Sequence, residues 1–366
     1  MCLFLVCWRQ QSTNCSDRAG SFPCLHQDKA SSALIGARRG SAAAIISATA
    51  LRSRVTIRQF LRIIPSIFHN FRMPRELTLE DLPTLRSANV HIKDEATVLN
   101  KINKIVRDGA NKLQLVTDFD LTLTKQHENG VPILSSFGIF RKCKQLPEFY
   151  KSETKVMYQK YRAIEIDPNI PLEEKVNAMN DWNMSAHKML QGIPFDKKEI
   201  EEVTDRYGHS LRDRTKELFT KLNALGIPIL VFSAGLGDVV RTQLRHQEVY
   251  MNNVNIISNF LKFNGSMLEG FENPQRLIHV FNKNEHAVEN EYFRIIQGRV
   301  NVVLMGDTLG DATMADGVKD TETILRIGFL YDQAEECLPS YKEAFDIVLV
   351  DDQTMNVVLD VLSSLF

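Results

Sequence analysis

Paired cysteines are missing from this 366-residue chain. Four of its six cysteines (Cys2, Cys7, Cys15, Cys24) crowd the first 24 residues, only Cys143 and Cys337 lie beyond, and no two are spaced Cys-x-x-Cys. That excludes zinc ribbons and thioredoxin-type redox motifs, and two lone thiols in so long a body point to a reducing compartment. No transmembrane helix is expected, since the small and apolar stretch 41–51 is too short to span a bilayer. Excess positive charge is lacking as well: 44 Lys and Arg face 45 Asp and Glu, for a net charge of −1. Duplex binding draws most of its affinity from basic side chains on phosphates, so a nucleic-acid polymer is excluded as a dedicated partner. Internal repeats and low-complexity tracts do not occur in the body. A hydrophobic content of 44% fits a globular protein with a sizeable core, in one large or two modest domains.

The near-zero net charge hides an asymmetry. Residues 1–72 carry ten basic and two acidic groups, a balance of +8, and the remaining 294 residues carry −9. A leader rich in Arg, Ser and Ala and poor in acids has the composition of a targeting extension and is expected to be disordered. Within it, Ile57, Phe60, Leu61, Ile64, Ile67, Phe68 and Phe71 recur at helical spacing among arginines, interrupted by Pro65. The competing reading is that Met73 begins the functional polypeptide and the leader is dispensable.

From Met73 onward, helical periods alternate with short apolar runs at 112–117, 227–232, 300–305 and 346–350. Runs without polar alternation, separated by helices, read as buried strands of a parallel sheet, so an α/β layered fold follows. About a hundred residues between the first two runs hold helical patterns such as 172–190 and 197–207, the signature of a helical insertion or cap.

Ligands of open α/β sheets bind beyond the carboxyl ends of the strands. The first run ends in Thr117-Asp118-Phe119-Asp120-Leu121-Thr122, the second in Ser233-Ala234-Gly235-Leu236-Gly237-Asp238, the third in Gly306-Asp307-Thr308-Leu309-Gly310-Asp311. Two carboxylates one residue apart can divide nucleophile and proton-transfer roles when a cation suppresses their repulsion. Asp307 and Asp311, in a glycine-flanked loop, are hard-oxygen partners for magnesium, and the four aspartates together suggest phosphate chemistry. A calcium EF-hand also opens Asp-x-Asp, but its sixth position needs glycine and its twelfth glutamate, where this chain has Leu123 and Asn129. A dinucleotide fingerprint at Gly235-Leu236-Gly237 fails at Val240. Single aspartates after strands are usually helix caps, but three polar motifs in order at strand ends weaken that reading.

Those three motifs, with Ile164-Glu165-Ile166-Asp167-Pro168 and Ile278-His279-Val280-Phe281-Asn282-Lys283 between them, resemble the haloacid dehalogenase superfamily of phosphatases. More narrowly, the chain is similar to the cytosolic 5′-nucleotidase III, or pyrimidine 5′-nucleotidase, family over roughly residues 77–366. The resemblance implies a Rossmannoid parallel-sheet core at 73–130 and 212–366 with an inserted helical cap at 131–211. It also implies that Asp118 attacks phosphorus to form an aspartyl-phosphate and that Asp120 protonates the departing ribose oxygen and later activates water. Mg2+ would be held by Asp118, the Asp120 backbone carbonyl and Asp307, with Asp311 in support. Ser233 would donate its hydroxyl to the phosphate, joined by the N–H groups of Ala234 and Gly235 at a helix N-terminus. Lys283, which in isolation reads as a surface residue, would balance the remaining negative charge.

For the base, the resemblance makes Glu165 a hydrogen-bond acceptor and Trp182 a stacking residue. On spacing alone, Trp182 shares a helical face with Met179, Ala186 and Met189 and reads as core. Phe137 falls at the second stacking position, where pyrimidine-preferring members tend to carry histidine. Two aromatic faces can sandwich a purine, and a 7-methylguanine ring carries delocalised positive charge that aromatic quadrupoles attract. Hydrolysis of 7-methylguanosine monophosphate and CMP is therefore expected, with UMP a third candidate, by a cytoplasmic monomer. Relatives often place serine just before the cap histidine, whereas here Ala186 precedes His187 and Ser185 is displaced by one. A nucleoside phosphotransferase, or a nucleotide-binding protein without turnover, are the alternatives; intact Asp118 and Asp120 argue against the second.

Overall fold

In the computed structural model, residues 75–167, 169–283, 290–316 and 320–366 are described. The leader at 1–72, the start at Met73, the arginine-flanked pattern at 57–71 and Pro168 lie outside the described residues. The nine strands that matter here are β1 (Val90–Ile92), β2 (Leu113–Thr117), β3 (Ile229–Leu236), β4 (Val254–Asn259), β5 (Leu261–Asn264), β6 (Met267–Phe271), β7 (Asn301–Gly306), β8 (Thr323–Leu330) and β9 (Ile347–Val350). Seven of them form one sheet in the order β1-β9-β8-β7-β2-β3-β4. Six run parallel, and the short edge strand β1 pairs antiparallel with β9. The hairpin β5–β6 stands apart.

The four apolar runs become β2, β3, β7 and β9, and every residue of β2 and β7 is buried, as strands covered on both faces require. Alternate side chains separate cleanly between two hydrophobic clusters: Leu113, Leu115, Val303 and Met305 on one face, Val116, Val302 and Leu304 on the other. The α/β layered expectation is met. Strand β8 was not foreseen, because Thr323, Arg326 and Gly328 break its apolar run; Arg326 is accommodated by donating to the carbonyl of Ala312 at 2.8 Å.

The helices are α1 (Glu95–Asp108), α2 (Ser136–Phe140), α3 (Glu148–Ile166), α4 (Leu172–Leu190), α5 (Lys198–Tyr207), α6 (Thr215–Ala224), α7 (Gly237–His246), α8 (Asn290–Ile295), α9 (Ala334–Ala344) and α10 (Asn356–Val361). In α1, Asp94 caps the N-terminus by accepting from the N–H of Thr97, and Val98, Ile102 and Ile105 form the buried stripe. The insert between β2 and β3 supplies α2 to α5. Its apolar residues Ile139, Phe140, Leu190, Phe195 and Ile200 share a third cluster with Leu261, Leu268 and Phe271 of the hairpin and Val239 of α7. A hairpin later in the sequence thus completes the packing of the insert.

Candidate active site

Strands β2, β3 and β7 are neighbours, so their carboxyl ends open on one cleft of about 510 Å3. All eleven residues singled out from the sequence line it: Asp118, Asp120, Phe137, Glu165, Trp182, Ser233, Ala234, Gly235, Lys283, Asp307 and Asp311. Local folding explains the convergence. The Asp118 N–H donates to the Met305 carbonyl at 3.0 Å, which holds the start of the first loop against β7. The loop then turns back through Leu121 in the left-handed region (φ 64°), with its N–H on Thr124 Oγ1 at 2.7 Å. At the third strand end, a Cβ on Gly306 would lie 2.3 Å from the Asp311 Cβ, so only glycine lets this loop fold back so closely.

Asp118, Asp307 and Asp311 each offer an oxygen, and the three lie within 4.8 Å of one another. Lys283 is buried between them, bonded to Asp118 and, at 2.8 Å, to Asp311 Oδ1. Burial works against the Lys283 charge, but Asp118 and Asp311 outweigh it and push its pKa up. Asp311 is fully engaged: its Oδ2 accepts from the N–H groups of Asp307 and Thr308 and from Thr308 Oγ1 at 2.8 Å. Desolvation pushes the Asp118 carboxyl up to about 7, against the pull of Lys283, and together with the Asp118 and Asp311 charges holds Asp307 well above the usual range. Three carboxylates, those of Asp118 and Asp311 buried and that of Asp307 half-buried, leave negative charge unbalanced around one ammonium. Their hard-oxygen chemistry suits a divalent cation, for which Asp118 and Asp307 have coordinating capacity left.

Asp120 is raised by desolvation, opposed by hydrogen bonds from Ser136, a residue the sequence reading did not single out. Ser233 is buried, and its Oγ accepts from the N–H of Gly235 at 3.0 Å. The expected helix N-terminus at Ala234–Gly235 lies further on: β3 continues to Leu236 and α7 begins at Gly237. In this arrangement the hydroxyl proton of Ser233 stays available to an anion, while the Gly235 N–H is occupied.

On the α3–α4 side, Trp182 is half-buried and stacks on Tyr161 at 5.6 Å with an interplanar angle of 7°, while Tyr158 meets its edge at 6.2 Å. Phe137 meets Phe271 edge-on at 6.4 Å. Glu165 is held by Arg162 at 2.5 Å, and its pKa is raised by burial against the opposing pull of that guanidinium. The Arg162–Glu165 pair has i, i+3 spacing on a helix, a signal that was readable. Ala186 lines the cleft and Ser185 is not among its lining residues, in keeping with the displaced serine. No helix among the described residues is long and apolar enough to cross a membrane.

The chain is also similar to known proteins. The pyrimidine 5′-nucleotidase (UMPH-1) family matches residues 121–366. A 7-methylguanosine phosphate-specific 5′-nucleotidase of Drosophila melanogaster is 47% identical over 290 residues, covering 78% of this chain and 90% of that one. The Homo sapiens protein of the same name is 37% identical over 281 residues, covering 76% and 93%. Among solved structures, cytosolic 5′-nucleotidase IIIB bound to cytidine superposes with a TM-score of 0.76 at 46% identity, covering 79% of this chain and 97% of that one.

Proposed function

The chain belongs to the pyrimidine 5′-nucleotidase family, an enzyme family of phosphomonoester hydrolases, and on that premise we propose a magnesium-dependent 5′-nucleotidase acting on 7-methylguanosine monophosphate and CMP, with UMP as a further substrate. The observation that carries it is the Asp118–Asp307–Asp311 cluster with buried Lys283, opening on the same cleft as Trp182, Phe137 and Glu165. Asp118 is the nucleophile, and Asp120 gives a proton to the ribose oxygen as the P–O bond breaks. Water then attacks the phosphorus of the aspartyl-phosphate, its proton passing to Asp120, while the P–O bond to Asp118 breaks, restoring that carboxylate and releasing phosphate. Asp118, Asp307 and the Asp120 carbonyl would hold Mg2+, which when bound neutralises charge on the phosphate and the nucleophile. Asp311 orients the third loop through its bonds to Asp307 and Thr308.

Lys283 and the Ser233 hydroxyl, both buried, meet the phosphate oxygens. Trp182, backed by Tyr161, and Phe137 face the base, and Glu165 accepts its N–H groups. The division into a core at 73–130 and 212–366 and a cap at 131–211 is part of this reading. So is a cytosolic setting, supported by the name of the cytidine-bound relative. The test is phosphate release from a panel of nucleoside monophosphates with and without magnesium. Asp118→Asn should lose at least about 1000-fold in kcat while still binding nucleotide; undiminished release by that variant rejects Asp118 as nucleophile.

A further inference from the structure

The carboxyl of Asp120 is gripped by one residue on both oxygens. Ser136, the first residue of α2, is fully buried; its N–H donates to Asp120 Oδ1 at 2.7 Å and its hydroxyl to Oδ2 at 2.6 Å. The same Oγ accepts from the N–H of Leu236 at 3.0 Å, so its single proton is directed at Asp120. The pair is enclosed by β3: a Cβ on Gly235 would lie 2.2 Å from Ser136 Oγ and 2.6 Å from Asp120 Oδ2. Two donors on two oxygens fix the rotation of the carboxyl plane. Each oxygen keeps a second lone-pair site, where a transferred proton can sit.

We propose that Ser136 is the positioning residue for the leaving-group acid, a residue of the insert that aims Asp120 at the ester oxygen. The proposal rests on the reading of Asp120 given above. In that step an Asp118 oxygen bonds to phosphorus, the P–O5′ bond breaks with its electron pair on O5′, and the Asp120 proton goes to that oxygen. Ser136 does not itself line the cleft, so it acts through Asp120. In the first half-reaction, its effect is therefore confined to substrates whose leaving atom needs the proton.

The experiment compares CMP with its analogue bearing sulfur at the bridging 5′ position, which has the same base and phosphate but a thiolate leaving group that departs without protonation. The readout is kcat/KM, which reports only steps up to departure of the leaving group. Ser136→Ala is expected to lose about 10- to 100-fold on CMP and less than about threefold on the thio analogue, with cytidine inhibition unchanged. Ser136→Cys fills nearly the same volume with a weak donor and should behave alike; it carries the comparison if the alanine variant does not fold. Equal losses on both substrates, or no loss on either, overturn the proposal. Asp120→Asn separates the two levels. If it shows the selective loss and the Ser136 variants do not, only the role of Ser136 falls; if it turns over CMP undiminished, the assignment of Asp120 falls and the proposal with it.

Discussion

Charge imbalance dominates the site at the level of single residues. Asp118 is held up to about 7 and Asp307 well above its usual value, both by desolvation first, with Lys283 offsetting only part of the repulsion. A carboxyl whose pKa rises on folding binds more protons in the folded than in the unfolded chain. Its contribution to stability is therefore full below the unfolded value near 3.8 and is lost as pH climbs through about 7. A divalent cation relieves the repulsion only once the carboxylates are ionised. Magnesium should thus raise the thermal midpoint of the chelated protein more at pH 8 than at pH 5; equal shifts at both pH values would contradict the charge argument. The base side offers a second residue-level prediction. Phe137 lines the cleft at the proposed second stacking position, so Phe137→His should lower kcat/KM for 7-methylguanosine monophosphate about tenfold relative to CMP, by removing a full aromatic face from a cationic ring. A ratio that stays put in a two-substrate competition assay would remove the sandwich from the specificity argument.

Among elements, the loop after β2 depends on a residue almost a hundred positions away. Arg212, just before α6, is buried, donates to the carbonyls of Leu121 and Thr122 at 2.6 Å each and to that of Asp352, and lies 3.9 Å over the Phe329 ring. Arg212→Met leaves those carbonyls without their donor, so a loss of about 2–4 kcal/mol in urea unfolding is expected, with faster hydrogen exchange at residues 121–124. Unchanged exchange there would show that the loop holds its left-handed turn without the guanidinium. Arg212 was illegible in the sequence because a lone arginine ahead of a helix looks like any surface residue. Ser136 was illegible for a related reason: serine is common in loops, and nothing marks that its partner stands sixteen residues earlier. Strands β2, β3, β7 and β9 were legible because burial on both faces leaves mostly apolar runs, with only uncharged polar residues such as Gln114 and Asn301 among them. Strand β4 carries Asn255, Ser258 and Asn259, and β8 carries Arg326, so neither shows one. The aspartate loops were readable since their residue types are dictated by chemistry, and the ends of adjacent parallel strands must converge. Where α7 starts was misplaced because glycine signals a turn without saying how far the preceding strand runs on through it.

For the molecule as a whole, everything assembled in the cleft comes from residues 118 to 311, and Met73–Phe366 forms one compact unit. The +8 balance of residues 1–72 contrasts with −9 for the rest, so the two parts carry opposite fields. If the leader acts only as an address, or is dispensable, the chemistry should not depend on it. A chain beginning at Met73 is therefore expected to keep kcat/KM on CMP within about twofold of the full chain, with the same magnesium dependence and thermal midpoint. Ionic strength sharpens this test. Were the basic leader to steer an anionic nucleotide toward the cleft, the full chain would be faster at low salt and the advantage would vanish by about 0.15 M, where the screening length falls to about 8 Å. Identical salt curves for the two chains would confine the leader to targeting, and fusing it to a fluorescent protein then distinguishes an organelle address from an inert extension. A tenfold drop in turnover at every salt concentration would mean that the leader takes part in building the active protein, and the placement of the functional start at Met73 would have to be abandoned.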